Sequence, residues 1–342
     1  MNNRASETEI SIRAPRETSA LFGHDHAETT LLTAYGSGRI PHAWLIGGAQ
    51  GIGKATLAYR AARFVLAHPD PSATAVQQAS TLAVDPDHPI ARQVAVGSHG
   101  GLLTLERTVN DKGVMGTFIS VNQARETLPF FGSTAAVEGW RVCIVDTVEE
   151  LNANAANALL KVLEEPPSRS LFFLVSHAPA RVLPTILSRC RKLLLRPLSS
   201  EDVIRAAREA GDDVDDKSLR DAAGLAEGSV ARALMLMDGN AMGLHQRTNA
   251  LLAALPNIDQ RALHALGDSL PLNDRVALRT FADAVDGWMA GHLRLDADLA
   301  RLARVAQVWE KISVSVRETE SFNLERKPLV FSVFGLLAEA TR

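Results

Sequence analysis

The sequence predicts an α/β domain, a parallel sheet with helices on both faces, followed by two all-helical blocks. Three observations predict it. Short apolar runs alternate with helix-period stretches from Leu21 to about Leu198. Several runs are apolar on both faces, as strands buried inside a parallel sheet are. Beyond Pro197-Leu198-Ser199 the strand signal stops and only helical spacing continues.

Taken in order, residues 1–19 carry scattered charge, Pro15 and no sustained period, and are expected as a loose arm. The expected strands are Ala43–Ile46, Leu102–Leu105, Phe118–Val121, Val142–Val145, Leu171–Val175 and Leu193–Leu195. A helix is expected over Ala153–Glu165, because Ala156, Leu159, Leu160 and Leu163 recur at helical spacing. Asn152 can cap it and Pro166-Pro167 must end it. The α/β domain is thus expected over 20–198, and the stretch 70–101, rich in Pro, Ala, Gln and His, reads as an insertion. Ser199, with Asp202 three residues on, has the spacing of a capping box. It opens a small helical domain over 199–248, with expected breaks at Gly211, Gly224 and Gly228. Residues 249–342 form the last helical block, where Phe281, Val285, Trp288 and Met289, then Leu299, Leu302, Val305, Trp309 and Ile312, step by threes and fours.

Composition excludes several classes. At 342 residues, 46% hydrophobic and 22% charged, the chain is an ordinary globular one of two or three domains. With 36 basic against 39 acidic residues, its net charge of −3 does not demand nucleic acid as the main ligand. Cys143 and Cys190 lack metal-ligand spacing and can build no disulfide framework, so a reducing cytoplasm is expected. The polar N-terminus has no secretory pattern and no run is long enough for a membrane span.

The most specific local signal is Leu45-Ile46-Gly47-Gly48-Ala49-Gln50-Gly51-Ile52-Gly53-Lys54-Ala55-Thr56, a glycine loop between a strand and a helix. One reading is a dinucleotide loop of the short-chain dehydrogenase type. That reading needs a downstream Tyr with Lys four residues on. The two tyrosines, Tyr35 and Tyr59, do not supply it, because Tyr59 lies too early and is followed by Arg63. The other reading is a phosphate loop, Gly48-x4-Gly53-Lys54, whose backbone N–H groups cradle phosphates while Lys54 reaches the terminal ones. Ala55 stands where a magnesium-holding Ser or Thr is wanted, and Thr56 is one residue late, about 100° around the helix. The partner strand Arg141–Asp146 ends in the expected Asp, but Thr147 replaces the Glu that would activate water. Glu149 and Glu150 are expected as solvated charges on the next turn. Two losses in one site predict that hydrolysis has been given up, leaving Gly48, Gly51, Gly53, Lys54, Thr56 and Asp146 as a degenerate nucleotide site with weak ATP or ADP binding at most.

Asn157-Ala158-Leu159-Leu160-Lys161-Val162-Leu163-Glu164-Glu165-Pro166-Pro167, then Phe173–Ser176, then Leu187-Ser188-Arg189-Cys190, resemble the AAA+ subunits of bacterial sliding-clamp loaders. Gly38–Leu45 is similar to the segment leading into their phosphate-loop strand, and Phe322–Lys327 to their last helical hairpin. The resemblance implies an AAA+ domain over 20–198, a lid over 199–248 and an oligomerising collar over 249–342. Gly228-Ser229-Val230-Ala231 places Ala231 where the hydrolysing gamma/tau motor keeps a sensor arginine, and the family's four-cysteine zinc module is missing, so no metal is expected. These departures resemble the stationary delta-prime branch. The alternatives are an active gamma/tau-type motor and an AAA+ interaction module outside replication.

On that resemblance Arg189, flanked by Ser188 and Cys190, is a trans arginine finger for a neighbouring subunit's ATP. The implied role is clamp loading within the DNA polymerase III holoenzyme. The implied partners are gamma/tau and delta subunits, with the sliding clamp and primer-template DNA met through the complex and no membrane. Ser176 falls at a sensor position and is expected as a satisfied hydroxyl, while Arg191, Lys192 and Arg196 form a solvated basic cluster. His24, His26, His88 and His99 are expected at the surface.

Overall fold

The computed structural model describes residues 13–108, 116, 118–132, 139–211, 215–237, 239–272, 274–295 and 299–341. The chain divides into two compact units, residues 1–231 and 232–342.

In the first unit, β1 (Ala43–Gly47), β2 (Leu102–Glu106), β3 (Arg141–Asp146), β4 (Ser170–Ser176) and β5 (Arg191–Leu194) form one parallel sheet in the order β2-β3-β4-β1-β5. The both-face apolar runs follow from this arrangement. Trp44, Ile46, Ile144, Phe173 and Val175 point to one face, under helices Asp25–Gly36 and Lys54–Ala67. Ala43, Leu45, Cys143, Phe172 and Leu174 point to the other, where helix Ala153–Glu164 buries Leu159 and Leu163. Asn152 caps that helix by accepting from the Ala155 N–H at 2.8 Å.

The expected strand Phe118–Val121 does not form. Ser120 accepts from the Gln123 N–H while the Gln123 side chain accepts from the Ser120 N–H, so a reciprocal cap starts helix Val121–Arg125. Only Ile119 keeps a sheet-like contact, a single bridge to Leu151, and Phe118 is exposed. The stretch 70–101 holds two short helices, Thr74–Gln77 and Pro89–Ala95, and lends Val76, Leu82 and Val94 to the core.

The loose arm expected over 1–19 lies outside the described residues up to 12; from Arg13 onward it is held. Arg60 and Arg63 donate to the carbonyls of Ser19 and Thr18, and the Arg13 N–H donates to Ala210 O at 2.8 Å. Arg60 is itself fixed by Glu28 at 2.6 Å, a nearly buried pair. Ser199 caps helix Ser200–Ala210 by accepting from the Asp202 N–H at 3.1 Å, and Gly211 ends it. Gly224 lies within helix Asp216–Leu225 rather than breaking it, whereas Gly228 takes the left-handed φ of +80° that a sharp turn needs.

The second unit is helical. Helices Gly239–Ala253, Gln260–Asp268, Arg275–Leu295, Leu299–Ser321 and Arg326–Ala340 bury Leu252, Leu266, Phe281, Val285, Ile312 and Phe334 together. Trp288, Trp309 and Phe331 pack on that core half-buried, and the Trp309 indole donates to Asp286 at 2.8 Å. Helix Gly239–Ala253 is continuous across residue 248. Among the described residues no helix is long and apolar enough to cross a membrane.

Candidate functional site: the glycine loop after the first strand

The site lies at the carboxyl end of the sheet, where β1, β3 and β4 run side by side and neighbouring strands feed loops on the same edge. The loop after β1 is tied to both flanking strands. The Gly48 N–H donates to Ser176 O at 3.2 Å, and the Leu195 N–H donates to Gly47 O at 2.8 Å. Gly51 and Gly53 have φ of +75° and +96°, backbone that side chains rarely adopt, and Gly53 opens helix Lys54–Ala67. The glycine loop therefore runs from a strand into a helix, as its spacing predicts.

Lys54 is buried, and its ammonium donates to the carbonyls of Gly48 at 2.8 Å and Ala49 at 2.5 Å. Burial lowers its pKa to about 8, against the opposing pull of Asp146 and Glu149. Asp146, at the tip of β3, is pushed up to about 6, chiefly by burial; Lys54 works against this shift, while Glu106 and Glu149 add to it. The carboxylates share the sheet's edge, since Glu106 pairs with Asp146 in register. A raised carboxylate contributes stability that is full below its unfolded pKa and lost as pH rises through about 6. The ionised edge is therefore held by the rest of the fold.

Glu149 overturns the expectation of a solvated charge. The 3-10 turn Val148–Glu150 swings it back toward β4. There its Oε1 accepts from the Ser176 hydroxyl at 2.8 Å and the Ala178 N–H at 2.5 Å, and its Oε2 is buried without a hydrogen-bond partner. Ser176 is fully buried and satisfied, as expected. Glu150 is half-buried against Arg107 at 3.0 Å. His24 is also not at the surface: it is buried, and its Nε2 hydrogen-bonds Ile52 O at 2.6 Å, directly beneath the loop. Burial lowers its pKa. His26 is exposed, and His88 and His99 are half-exposed, each accepting a backbone N–H two residues on.

The segment after Gly228 seats on the loop. The Val230 N–H donates to Gly51 O at 2.9 Å. A Cβ on Gly51 would overlap the Ser229 hydroxyl and meet the Ala231 Cβ at 2.7 Å. Ala231 therefore stands against Gly51 with only a methyl group. Ala55, at the position a magnesium-holding hydroxyl would take, carries none, and Thr56 is half-buried one position further round the helix.

Arg189 lies apart from this cluster. It follows helix Pro184–Leu187, with a side chain about one-third exposed. Its Nη1 donates to Thr185 O at 2.8 Å and its Nη2 to Glu164 Oε1 at 2.6 Å. Ser188 is exposed and Cys190 half-buried, its thiol pushed up to about 12 by burial. Arg191, Lys192 and Arg196 are exposed along and just beyond edge strand β5, and the Arg191 guanidinium stacks over Trp44 at 5.1 Å.

A family model described as DNA polymerase III, delta subunit, matches residues 23–199, just over half the chain. The chain belongs to this family, on its delta'-type branch. The DNA polymerase III subunit delta' of Pseudomonas aeruginosa is 37% identical over 149 residues, covering 44% of this chain and 41% of that protein. The subunit delta' of Escherichia coli K12 is 30% identical over 237 residues, covering 69% of this chain and 66% of that one. The subunit gamma of Buchnera aphidicola from Acyrthosiphon pisum is 28% identical over 228 residues, covering 66% and 58%. The first relatives are thus matched over about 41–58% of their own length. Sequence reasoning missed His24 and Glu149. His24 lies 28 residues from its partner Ile52, and Glu149 carries no signal apart from its place three residues after Asp146.

Proposed function

We propose that the chain is a non-hydrolysing subunit of a clamp loader that joins gamma/tau and delta subunits and lends Arg189 to a neighbour's ATP site. In that role it helps place a sliding clamp on primer-template DNA, which it meets through the complex, in the cytoplasm. Membership of the DNA polymerase III delta family supports the assembly. The observation that carries the non-hydrolysing half is the seating of Val230 and Ala231 on Gly51, with Ala55 and Thr147 at the two positions hydrolysis needs. Nucleotide is not required for this role, and the cradle holds it weakly at most. Residues 249–342 would serve as the collar that binds the other subunits.

Mixing the full chain with gamma/tau and delta subunits of the same source tests the assembly. Size-exclusion chromatography followed by mass spectrometry should find one stable complex containing this chain. Separate elution at every concentration up to tens of micromolar would refute membership of that complex.

A further inference from the structure

The Arg189 side chain is not waiting in solvent. Its guanidinium bridges two groups of its own unit, the Thr185 carbonyl through Nη1 at 2.8 Å and the Glu164 carboxylate through Nη2 at 2.6 Å, with the Ser188 hydroxyl at 3.4 Å. Glu164 is the last residue of helix Ala153–Glu164, immediately ahead of Glu165-Pro166-Pro167, so its backbone is set by the helix end while half its side chain faces water. A phosphate is recognised by a guanidinium through two parallel N–H groups. Here the two terminal nitrogens are already directed to oxygen acceptors, one of them an anion. A phosphoryl group that takes this terminal pair of nitrogens competes with the carboxylate for it.

From this we propose that Glu164 is a positioning residue that parks Arg189 in the free chain and releases it when a phosphoryl group of the neighbouring subunit competes for the guanidinium. The inference rests on the reading of Arg189 as a finger, and adds to it a built-in restraint. The competition is between two anions for one cation, so no covalent step is involved. The restraint is shallow, because an ion pair this exposed shifts an equilibrium by only about two- to fivefold. It is therefore suited to suppressing idle engagement while giving way to a fully charged triphosphate.

Two readouts test it, each with wild type, Glu164→Gln, Glu165→Gln as a charge-matched control, and Arg189→Ala. In the full chain alone, phenylglyoxal labelling of Arg189, followed by peptide mass spectrometry, should be roughly two- to fivefold faster in Glu164→Gln than in wild type. Glu165→Gln should label at the wild-type rate. In the reconstituted complex without DNA or clamp, Glu164→Gln should raise basal ATPase, and the stimulated rate should change less. Labelling that is unchanged, or raised equally by Glu165→Gln, would overturn the parking role. A basal ATPase that falls with Glu164→Gln as it does with Arg189→Ala would overturn it too, since Glu164 would then be orienting the finger. If Arg189→Ala itself leaves ATPase unchanged, the finger reading fails, a result separable from failure of Glu164 alone.

Discussion

Arg189→Ala, in a complex of otherwise unchanged subunit content, is expected to lower the ATPase stimulated by DNA and clamp while leaving assembly intact. Assembly should survive because the side chain is one-third exposed and its hydrogen-bond partners are Thr185 O, the exposed Ser188 hydroxyl and the half-exposed Glu164 carboxylate. The loss should fall on one active site. A guanidinium that neutralises charge building on the transferred phosphoryl is worth about 10³ to 10⁵ in rate, or about 4–7 kcal/mol at that site. Sites served by other subunits keep their own groups, so total turnover should fall by a fraction. Clamp loading, which needs the sites to act together, should fall further. Arg189→Lys should rescue poorly, because an ammonium cannot present the planar fork. Unchanged ATPase and loading in matched complexes would leave Arg189 as a surface residue.

Gly228→Ala is expected to give the largest loss of stability at any position near the site. Two effects combine there. The residue has φ of +80°, which strains any side chain, and an added Cβ would stand 2.5 Å from Leu198 N and 2.7 Å from Leu198 O. Both of those atoms are backbone, so no rotamer change relieves the overlap. The Leu198 N–H to Gly228 O hydrogen bond, 3.2 Å long, would be pushed apart as well. Together these amount to about 2–4 kcal/mol. The strain should spread two residues on, to the Val230 N–H that is bonded to Gly51 O. Urea unfolding should show an earlier first transition, and hydrogen exchange at the Val230 amide should speed up. A wild-type midpoint with unchanged exchange would mean that the turn yields without disturbing the loop.

What could be read from the sequence was local or periodic. The both-face apolar runs gave the sheet, because a strand covered on each side has no polar face to show. The Asn152 cap, the Pro166-Pro167 stop and the glycine loop are signals confined to a few neighbouring residues, and each took the expected form. Phe118–Val121 misled because β-propensity and a capping box compete for the same residues, and the reciprocal bonds of Ser120 and Gln123 won. The stretch 70–101 shows little period because its core contacts come from single residues, Val76, Leu82 and Val94, spaced by loops. His24, Glu149 and the arm from Arg13 to Ser19 are fixed by partners far along the chain, at Ile52, Ser176 and Ala178, and Arg60, Arg63 and Ala210. No pattern in a short window encodes such pairings. Where charge is buried at a sheet edge, the partner is chosen by the folded topology.

We propose that the glycine loop keeps its phosphate-binding backbone without the groups that hydrolyse ATP. This claim is tested most directly by the turnover of magnesium-ATP by the pure full chain, set beside Lys54→Ala prepared identically. Lys54 is the cation already folded onto the Gly48 and Ala49 carbonyls, so its removal would abolish any turnover that arose at this loop. The expected result is the same background rate in both proteins, with or without weak nucleotide binding. Magnesium-dependent hydrolysis by the wild-type chain that disappears in Lys54→Ala would contradict the claim and make this subunit a motor.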